Sequence, residues 1–403
     1  MNATLADWPL LRQPAVRAIF AALDGEEATR VVGGAVRDAL LGRPVSDADF
    51  ATIFPPQEVV ARAERAGLKV VPTGIEHGTV TLISEGRPFE VTTLRRDVET
   101  DGRRARVRFT DDWHGDAARR DFTMNALYCD AAGEVFDPLG GLADLQAGRV
   151  RFIGEAEDRI REDYLRILRF FRFFAFYGAG RPDAAGLRAC ARLKSGLATL
   201  SAERVWRELK RLLSAPDPAR ALLWMRTSEI LQKVLSESWG IDAIHRLVAA
   251  ERIEGWEPDP LFRIESILPP HRARIDALAE RLRLSRAEAA RLRAWADAPE
   301  IDPAMPEGDL ARLLYRAGSD GCLDRLRHAI ARELEAGHEE AAAGLRRLIA
   351  FAKEWRRPAF PVTGKDLVAQ GIAPGPDVGR RLAELEQRWV EGGFELTRDE
   401  LLG

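Results

Sequence analysis

The spacing of apolar positions changes twice along this chain. From Trp8 to Leu23 they recur at helical intervals, which predicts a short amphipathic helix. From Thr29 to about Asp144 the texture is mixed: short runs (RVV, LKVV, GTVTLI, FEVTTL, RVRF, LYCD) alternate with turns and two or three helical patterns. The β-branched and aromatic residues in these runs predict strands. From about Glu155 onward strand-like runs nearly vanish, and a Leu/Ala/Arg-rich helical periodicity takes over. Segments around Pro216, Pro258, Pro269 and Pro303 mark joints between helices. The pattern predicts an α+β N-terminal head carrying a long all-helical remainder.

A chain of 403 residues is too long for one ordinary core, so two to four structural units are expected. Hydrophobic content of 46% with 31% charged residues describes a globular protein and excludes a disordered one. Cys129, Cys190 and Cys322 lie far apart without metal-ligand spacing, which argues against a disulfide framework and fits a reducing cytoplasm. Asp7 near the start and the lack of an apolar core behind a basic region speak against a signal peptide. No stretch approaches the apolar run of about 18 residues that a membrane span needs. The net charge of −3 hides an uneven distribution: between Arg149 and Leu212, 15 Lys and Arg face 8 Asp and Glu. A basic belt on an otherwise acidic chain is an electrostatic footprint for a polyanion, or else a set of solvated helices.

Candidate chemistry begins at VVGGAVRDALLGRPVSDADFAT, residues Val31 to Thr52. A strand ends at Gly33-Gly34 and a helix begins near Ala35. Two glycines let backbone N–H groups approach an anion, and Arg37 follows within a turn. Asp47 and Asp49 come next. Residues i and i+2 of a strand share a face, so their carboxylates converge, and such a pair favours a hard cation such as Mg²⁺. In PFEVT, Phe89 and Val91 are expected on one side and Glu90 on the other, making Glu90 a third carboxylate. Asp130, Asp137 and Asp144 are rivals in turn contexts. In RRDFTMNA, Arg119 and Arg120 offer forked donors to phosphates, and Asp121 can accept from ribose hydroxyls.

Farther on, REDYLR runs into RILRFFRF. On one continuous helix Asp163 and Arg166 would be i,i+3 neighbours, either an ordinary ion pair or a reader of base edges. An acceptor beside a donor complements cytosine and adenine. Uracil and guanine present the reverse pattern and would set a carbonyl oxygen against Asp163.

Taken in order, GGAVRD, DAD, FEV, RRDFTMNA, DPLGG, EDYLR and SAERVWREL resemble the bacterial class II tRNA nucleotidyltransferases and their relatives, the bacterial poly(A) polymerases. The resemblance is strong from about Arg30 to Ser214 and looser to the end, where PVTGKDLVAQGIAPGPDVGRRLAEL looks like the family's tail segment. It implies a seahorse-shaped protein: a polymerase-β-like head (residues 1–148), a helical neck (149–214), a body (215–300) and a tRNA-binding tail (301–403). It implies that Asp47 and Asp49 bind the catalytic Mg²⁺ ions, with Glu90 beside them, and that Gly33, Gly34 and Arg37 hold the triphosphate. Arg120, Asp121 and Asn125 would contact the nucleotide. Glu162, Asp163 and Arg166 would select the base, with Glu162 orienting Arg166, and Arg204 and Glu208 would brace the neck.

The implied activity is addition of C, C and A to tRNA 3′ ends from CTP and ATP. Poly(A) addition and CC addition are the alternatives. Expected partners are the acceptor end and elbow of tRNA, with no membrane and no obligate protein partner. Arg95 to Ala118 matches the position of the family's flexible loop, which A-addition requires, with Asp101-Gly102-Arg103-Arg104 at its centre. His77 is read as structural. No His-Asp metal pattern marks a phosphohydrolase domain in the second half.

Overall fold

The β-branched runs of the first half assemble into one mixed sheet in the computed structural model, which describes residues 3–101 and 104–403. Chain order is α1 (Pro14–Ala22), β1 (Thr29–Val32), α2 (Gly34–Leu40), β2 (Asp49–Thr52), α3 (Pro56–Arg65), β3 (Lys69–Gly74), β4 (Thr79–Ser84) and β5 (Arg87–Thr93). A ribbon of β6 (Arg95–Asp101) and β7 (Arg104–Phe109) follows, then α4 (Trp113–Ala118), β8 (Tyr128–Cys129), β9 (Val135–Phe136) and α5 (Gly141–Gln146). The main sheet is ordered β3-β4-β5-β2-β1-β8-β9. Proline opens both α1 and α3, where its missing N–H costs no helical bond.

Register at the sheet centre is set by burial. β2 runs antiparallel to β1, with Val32 opposite Asp49, and parallel to β5, with Phe50 opposite Val91. The rings of Phe20, Phe50 and Phe89 meet edge to face, at centroid distances of 5.3 and 6.0 Å. Phe50, Phe89 and Val91 are buried while Asp49 and Glu90 are exposed. A slip of one residue would bury both carboxylates and expose the rings, so the pattern admits one register.

Two differences from the sequence reading concern this half. Over its described residues, the stretch matching the position of the family's flexible loop, within which RVRF predicts a strand, is a two-stranded ribbon followed by α4, and Gly102 and Arg103 lie outside those residues. The short edge strand β9 was not anticipated: two residues are too few to show alternation.

The helices that follow are α6 (Ala156–Glu162), α7 (Leu165–Tyr177), α8 (Ala184–Leu193), α9 (Ala202–Leu213), α10 (Ala219–Thr227) and α11 (Ile230–Val234). The chain divides into two compact units, Met1–Ser201 with Trp224–Val234, and Ala202–Leu223 with Leu235–Gly403. In the first unit an aromatic cluster fastens α7: Phe122 packs on Phe152 and Phe173 at 4.9 and 5.1 Å, and Phe152 stacks on Phe170 at 5.5 Å.

The second unit continues with α12 (Asp242–Glu254), α13 (Pro260–Glu265), α14 (Arg272–Arg281), α15 (Arg286–Asp297), α16 (Glu307–Ala317), α17 (Ser319–Glu335), α18 (Glu339–Glu354), α19 (Gly364–Ala369), α20 (Pro376–Glu391) and α21 (Arg398–Leu402). Pro216, Pro258, Pro269 and Pro303 all fall between helices, as the sequence implies. One core gathers Leu310, Leu314, Leu326, Ile330, Leu345 and Leu348, and another gathers Leu367, Leu385, Trp389 and Leu401. No helix among the described residues is long and apolar enough to cross a membrane.

Candidate active site

Asp49 opens β2 and Asp47 precedes it by two residues, with Ala48 buried between the two exposed aspartates. The alternation places both carboxylates on one side, and the β2–β5 register brings Glu90 beside Asp49. Although Asp49 is exposed to solvent, partial desolvation by the surrounding protein pushes its carboxyl above its usual value; the charge of Glu90 adds to this, Arg120 pulls back, and Asp47 adds again. Among the described residues none of the three forms an ion pair, and Asp47 receives only the Ser46 hydroxyl at 3.0 Å. The rival carboxylates are otherwise engaged. Asp130 closes a turn on the N–H groups of Ala132 and Glu134, and Asp137 takes those of Gly141 and Leu142. Asp144 is buried, accepting from Thr123 and Arg151 at 2.7 and 2.8 Å.

The Gly-Gly turn lies alongside. Gly33 adopts φ 70°, a backbone region that other residues enter only under strain, and its N–H donates to the Leu127 carbonyl at 3.0 Å. A Cβ at Gly33 would stand 3.6 Å from a terminal nitrogen of Arg120, so this arginine lies against the turn. Arg120 also faces Asp116 at 3.1 Å, and its Nε is buried without an acceptor among the described residues.

Arg37 differs from the expectation of a side chain reaching for a triphosphate. It is 7% exposed, and its donors face protein acceptors: Asp38 at 3.0 Å twice, Asn125 Oδ1 at 2.6 Å and the Tyr177 hydroxyl at 2.7 Å. The Tyr177 ring lies 4.1 Å beneath the guanidinium. Asp121 is likewise engaged. One oxygen accepts from Asn125 and from the Phe122 N–H at 2.9 Å each, and the other accepts twice from Arg169, at 2.7 and 2.5 Å. Burial pushes Asp121 up, but Arg169 and then Asn125 more than reverse this and hold it below the usual carboxylate range. Arg37, Asn125, Asp121 and Arg169 thus form one continuous polar chain from α2 to α7.

The base-reading motif corrects the helical reading. α6 ends at Glu162, Asp163 is extended (φ −156°, ψ 106°), and α7 starts at Leu165. Asp163 breaks the helix because its side chain accepts the Leu165 N–H at 3.1 Å, capping the new start, while its carbonyl accepts the Arg166 N–H at 3.0 Å. Tyr164 fills the space beside Gly196, where any Cβ would fall 2.0 Å from its ring. Arg166 is held by Glu162 and by the Arg159 carbonyl at 2.7 Å, and Arg159 binds the other Glu162 oxygen at 2.8 Å. Arg166 also reaches the Arg119 carbonyl at 3.4 Å. The pairing of Glu162 with Arg166 therefore exists in the fold.

Arg204 and Glu208 sit one turn apart on α9, in the second unit, with Glu208 buried. His77 is exposed, and its carbonyl accepts from Arg95. Sequence reasoning missed Asp116, Arg159, Arg169 and Tyr177. Of these only Arg169 had a usable signal, standing one turn beyond Arg166.

Paired carboxylates at the start of a strand beside a Gly-Gly turn and a half-buried arginine, backed by the α6–α7 junction that carries Glu162, Asp163 and Arg166, define a nucleotidyltransferase. The family described as "Poly A polymerase head domain" matches residues 29–151, and "Probable RNA and SrmB- binding site of polymerase A" matches residues 183–239. The mitochondrial CCA tRNA nucleotidyltransferase 1 of Mus musculus is 34% identical over 379 residues, covering 93% of this chain and 85% of that protein. The CCA-adding enzyme of Streptococcus sanguinis is 33% identical over 369 residues, covering 90% and 88%. The crystal structure of the Bacillus stearothermophilus CCA-adding enzyme in complex with CTP superposes with a TM-score of 0.69 at 29% identity, covering 94% of each chain. The chain belongs to the family of CCA-adding enzymes and poly(A) polymerases.

Proposed function

We infer that this protein adds C, C and A to the 3′ end of tRNA without a nucleic-acid template, using CTP and ATP and releasing pyrophosphate. The observation that carries the reading is the exposed trio of Asp47, Asp49 and Glu90, without an ion pair among the described residues, beside Gly33 and Arg120. Whole-length similarity to proteins named for CCA addition supports the product.

The donors at this face are all carboxylate oxygens, which suit a hard divalent cation such as Mg²⁺, and their mutual repulsion is what such an ion relieves. No three His, Cys, Asp or Glu among the described residues already surround a common ion position. Asp47 and Asp49 would hold it. Bound there, such a cation would lower the pKa of the attacking 3′-hydroxyl and stabilise the leaving pyrophosphate.

The chain's own residues position and neutralise. Arg120, backed by the open turn at Gly33 and Gly34, meets the triphosphate. Arg37, Asp121 and Asn125 act on the nucleotide site through the polar chain described above, which keeps α2 and α7 in fixed relation. Arg166, oriented by Glu162, donates to the base and Asp163 accepts from it, favouring cytosine and adenine. Arg204 and Glu208, one turn apart on α9, brace the neck. The basic stretch 149–212 and the residues from 301 onward contact the acceptor stem and elbow through phosphates, which position a duplex without reading its sequence. The three cysteines are buried as thiols, in keeping with a cytoplasmic protein.

Labelled CTP and ATP, incubated with tRNA lacking its terminus and separately with an oligo(A) primer, test this reading. Growth of the tRNA by C, C and A and then arrest is the expected outcome. Long A-tails on the unstructured primer at a matching rate would instead assign poly(A) polymerase activity, the reading named by the matched head family.

A further inference from the structure

Asp116 sits on α4, just past the β6–β7 ribbon, and its side chain is 1% exposed. One carboxylate oxygen accepts from Arg119 Nε at 2.8 Å and from the Arg95 backbone N–H, the first of β6, at 3.4 Å. The other accepts from Arg120 Nη2 at 3.1 Å and from the Tyr128 hydroxyl at 3.0 Å. Tyr128 is itself pinned: its ring lies edge-on to Trp113 at 5.2 Å and 5.3 Å from the Arg120 guanidinium. Burial alone would favour a neutral acid here, yet Arg120 and then Arg119 hold the carboxyl below its usual range. A single buried anion therefore sets two adjacent arginines.

Each arginine also leads toward the nucleotide site. Arg120 lies against Gly33 and acts on the charge of Asp49. The backbone carbonyl of Arg119 accepts from Arg166, and that of Ala118 accepts from Arg159, the partner of Glu162. The backbone around residue 119 thus joins the cation beside the carboxylates to the residues that meet the base.

We propose that Asp116 is a positioning residue of the nucleotidyl transfer site, fixing Arg119 and Arg120 against the root of the ribbon so that the triphosphate and the base are held in line together. This rests on the nucleotidyltransferase reading above. Asp116 touches no substrate and acts through the two arginines. Its loss leaves their positive charge in place but frees their direction. Attraction for the triphosphate therefore persists, while the fraction of bound nucleotide aligned for attack falls.

The test compares Asp116→Asn with the wild type in steady-state incorporation of CTP and of ATP, in equilibrium binding of CTP, and in thermal melting. Asn keeps the size and one acceptor oxygen but removes the charge. The expected result is a kcat lower by about tenfold or more with both nucleotides, with CTP affinity within about threefold of wild type. Adding Arg119→Lys to Asp116→Asn should cost little more, because both changes break the same contact. If Asp116→Asn does not fold, Arg119→Lys alone carries the test: it leaves the Asp116–Arg120 contact in place, so a smaller loss of kcat at preserved CTP binding is expected, and an unchanged kcat would overturn the assignment. A folded Asp116→Asn protein with kcat within about twofold of wild type would overturn the assignment, as would a loss carried entirely by CTP affinity. Absence of incorporation by the wild type would instead overturn the activity reading.

Discussion

In the first unit Asp47, Asp49 and Glu90 share one exposed strand face without an ion pair among the described residues, whereas in the second unit Arg263, 1% exposed, is matched donor by donor. Its Nε lies 3.0 Å and its Nη2 2.6 Å from the two oxygens of Glu251, and Nη1 donates to the Leu213 carbonyl at 2.6 Å and to that of Ala215. Arg291 is handled the same way, between Asp324 at 2.9 Å and Asp259 at 2.5 Å. A buried charge must be matched or the fold fails. An exposed like-charged group that is left unmatched does nothing for the fold, so its explanation lies in what it binds. The two arrangements predict opposite consequences of removing one member.

The widest separation is expected from the carboxylates. Asp49→Ala should lower incorporation of both CTP and ATP by roughly a thousandfold or more, with melting temperature almost unchanged. Arg263→Met should do the reverse. It strands Glu251 in the interior, so equilibrium unfolding should show a loss of ~3–5 kcal/mol, while the folded fraction keeps its kcat. If Asp49→Ala destabilised as much as Arg263→Met, the contrast would collapse and Asp49 would be a structural residue.

How far this contrast can be read in the sequence differs by element. Asp47, Asp49 and Glu90 declare themselves because strand alternation is local: Ala48, Phe89 and Val91 point inward, and the carboxylates must point outward. The six strand-like runs and the proline joints were legible for the same reason. The break at Asp163 was not, because helical spacing on both sides masks one extended residue whose side chain caps the next helix. Nor was the engagement of Arg37 and Asp121. Their partners Tyr177 and Arg169 lie 140 and 48 residues away, and only the packing of α7 on Phe122 brings them near. Nothing in the sequence singles out Asp116 among the acids of its stretch, because its four donors come from Arg95, Arg119, Arg120 and Tyr128 only in the fold.

A smaller effect sharpens the comparison within the first unit. Asp163→Ala should weaken discrimination against UTP and GTP by about tenfold in competition assays, since the carboxylate that opposes their carbonyl oxygens is gone. Unchanged preference would confine Asp163 to capping α7.

The smallest concerns pH and the second unit. His328 lies 3.1 Å from buried Glu265. Burial, and then Arg325, pushes His328 down from 6.5 to about 3, so its contribution to stability is full above 6.5 and is lost as pH falls toward 3. Burial, and then the charge of Asp324, holds Glu265 well above 4.5, so its contribution is full below 4.5 and is lost as pH rises. The two slopes oppose each other between 4.5 and 6.5, giving a plateau there and a decline at higher pH. Glu265→Gln keeps a donor for His328 without an ionisable group. It should raise the melting temperature at alkaline pH and leave it unchanged near 4.5. A variant melting in parallel with wild type at every pH would mean that Glu265 does not carry the alkaline limb.

The claim that the exposed trio exists to hold a divalent cation is tested most directly by binding of Mn²⁺, followed through water-proton relaxation with CTP present. Wild type should show a saturable site that Mg²⁺ displaces, and the double variant Asp47→Asn/Asp49→Asn should lose it while still binding CTP. Equal Mn²⁺ binding by both proteins would contradict the account.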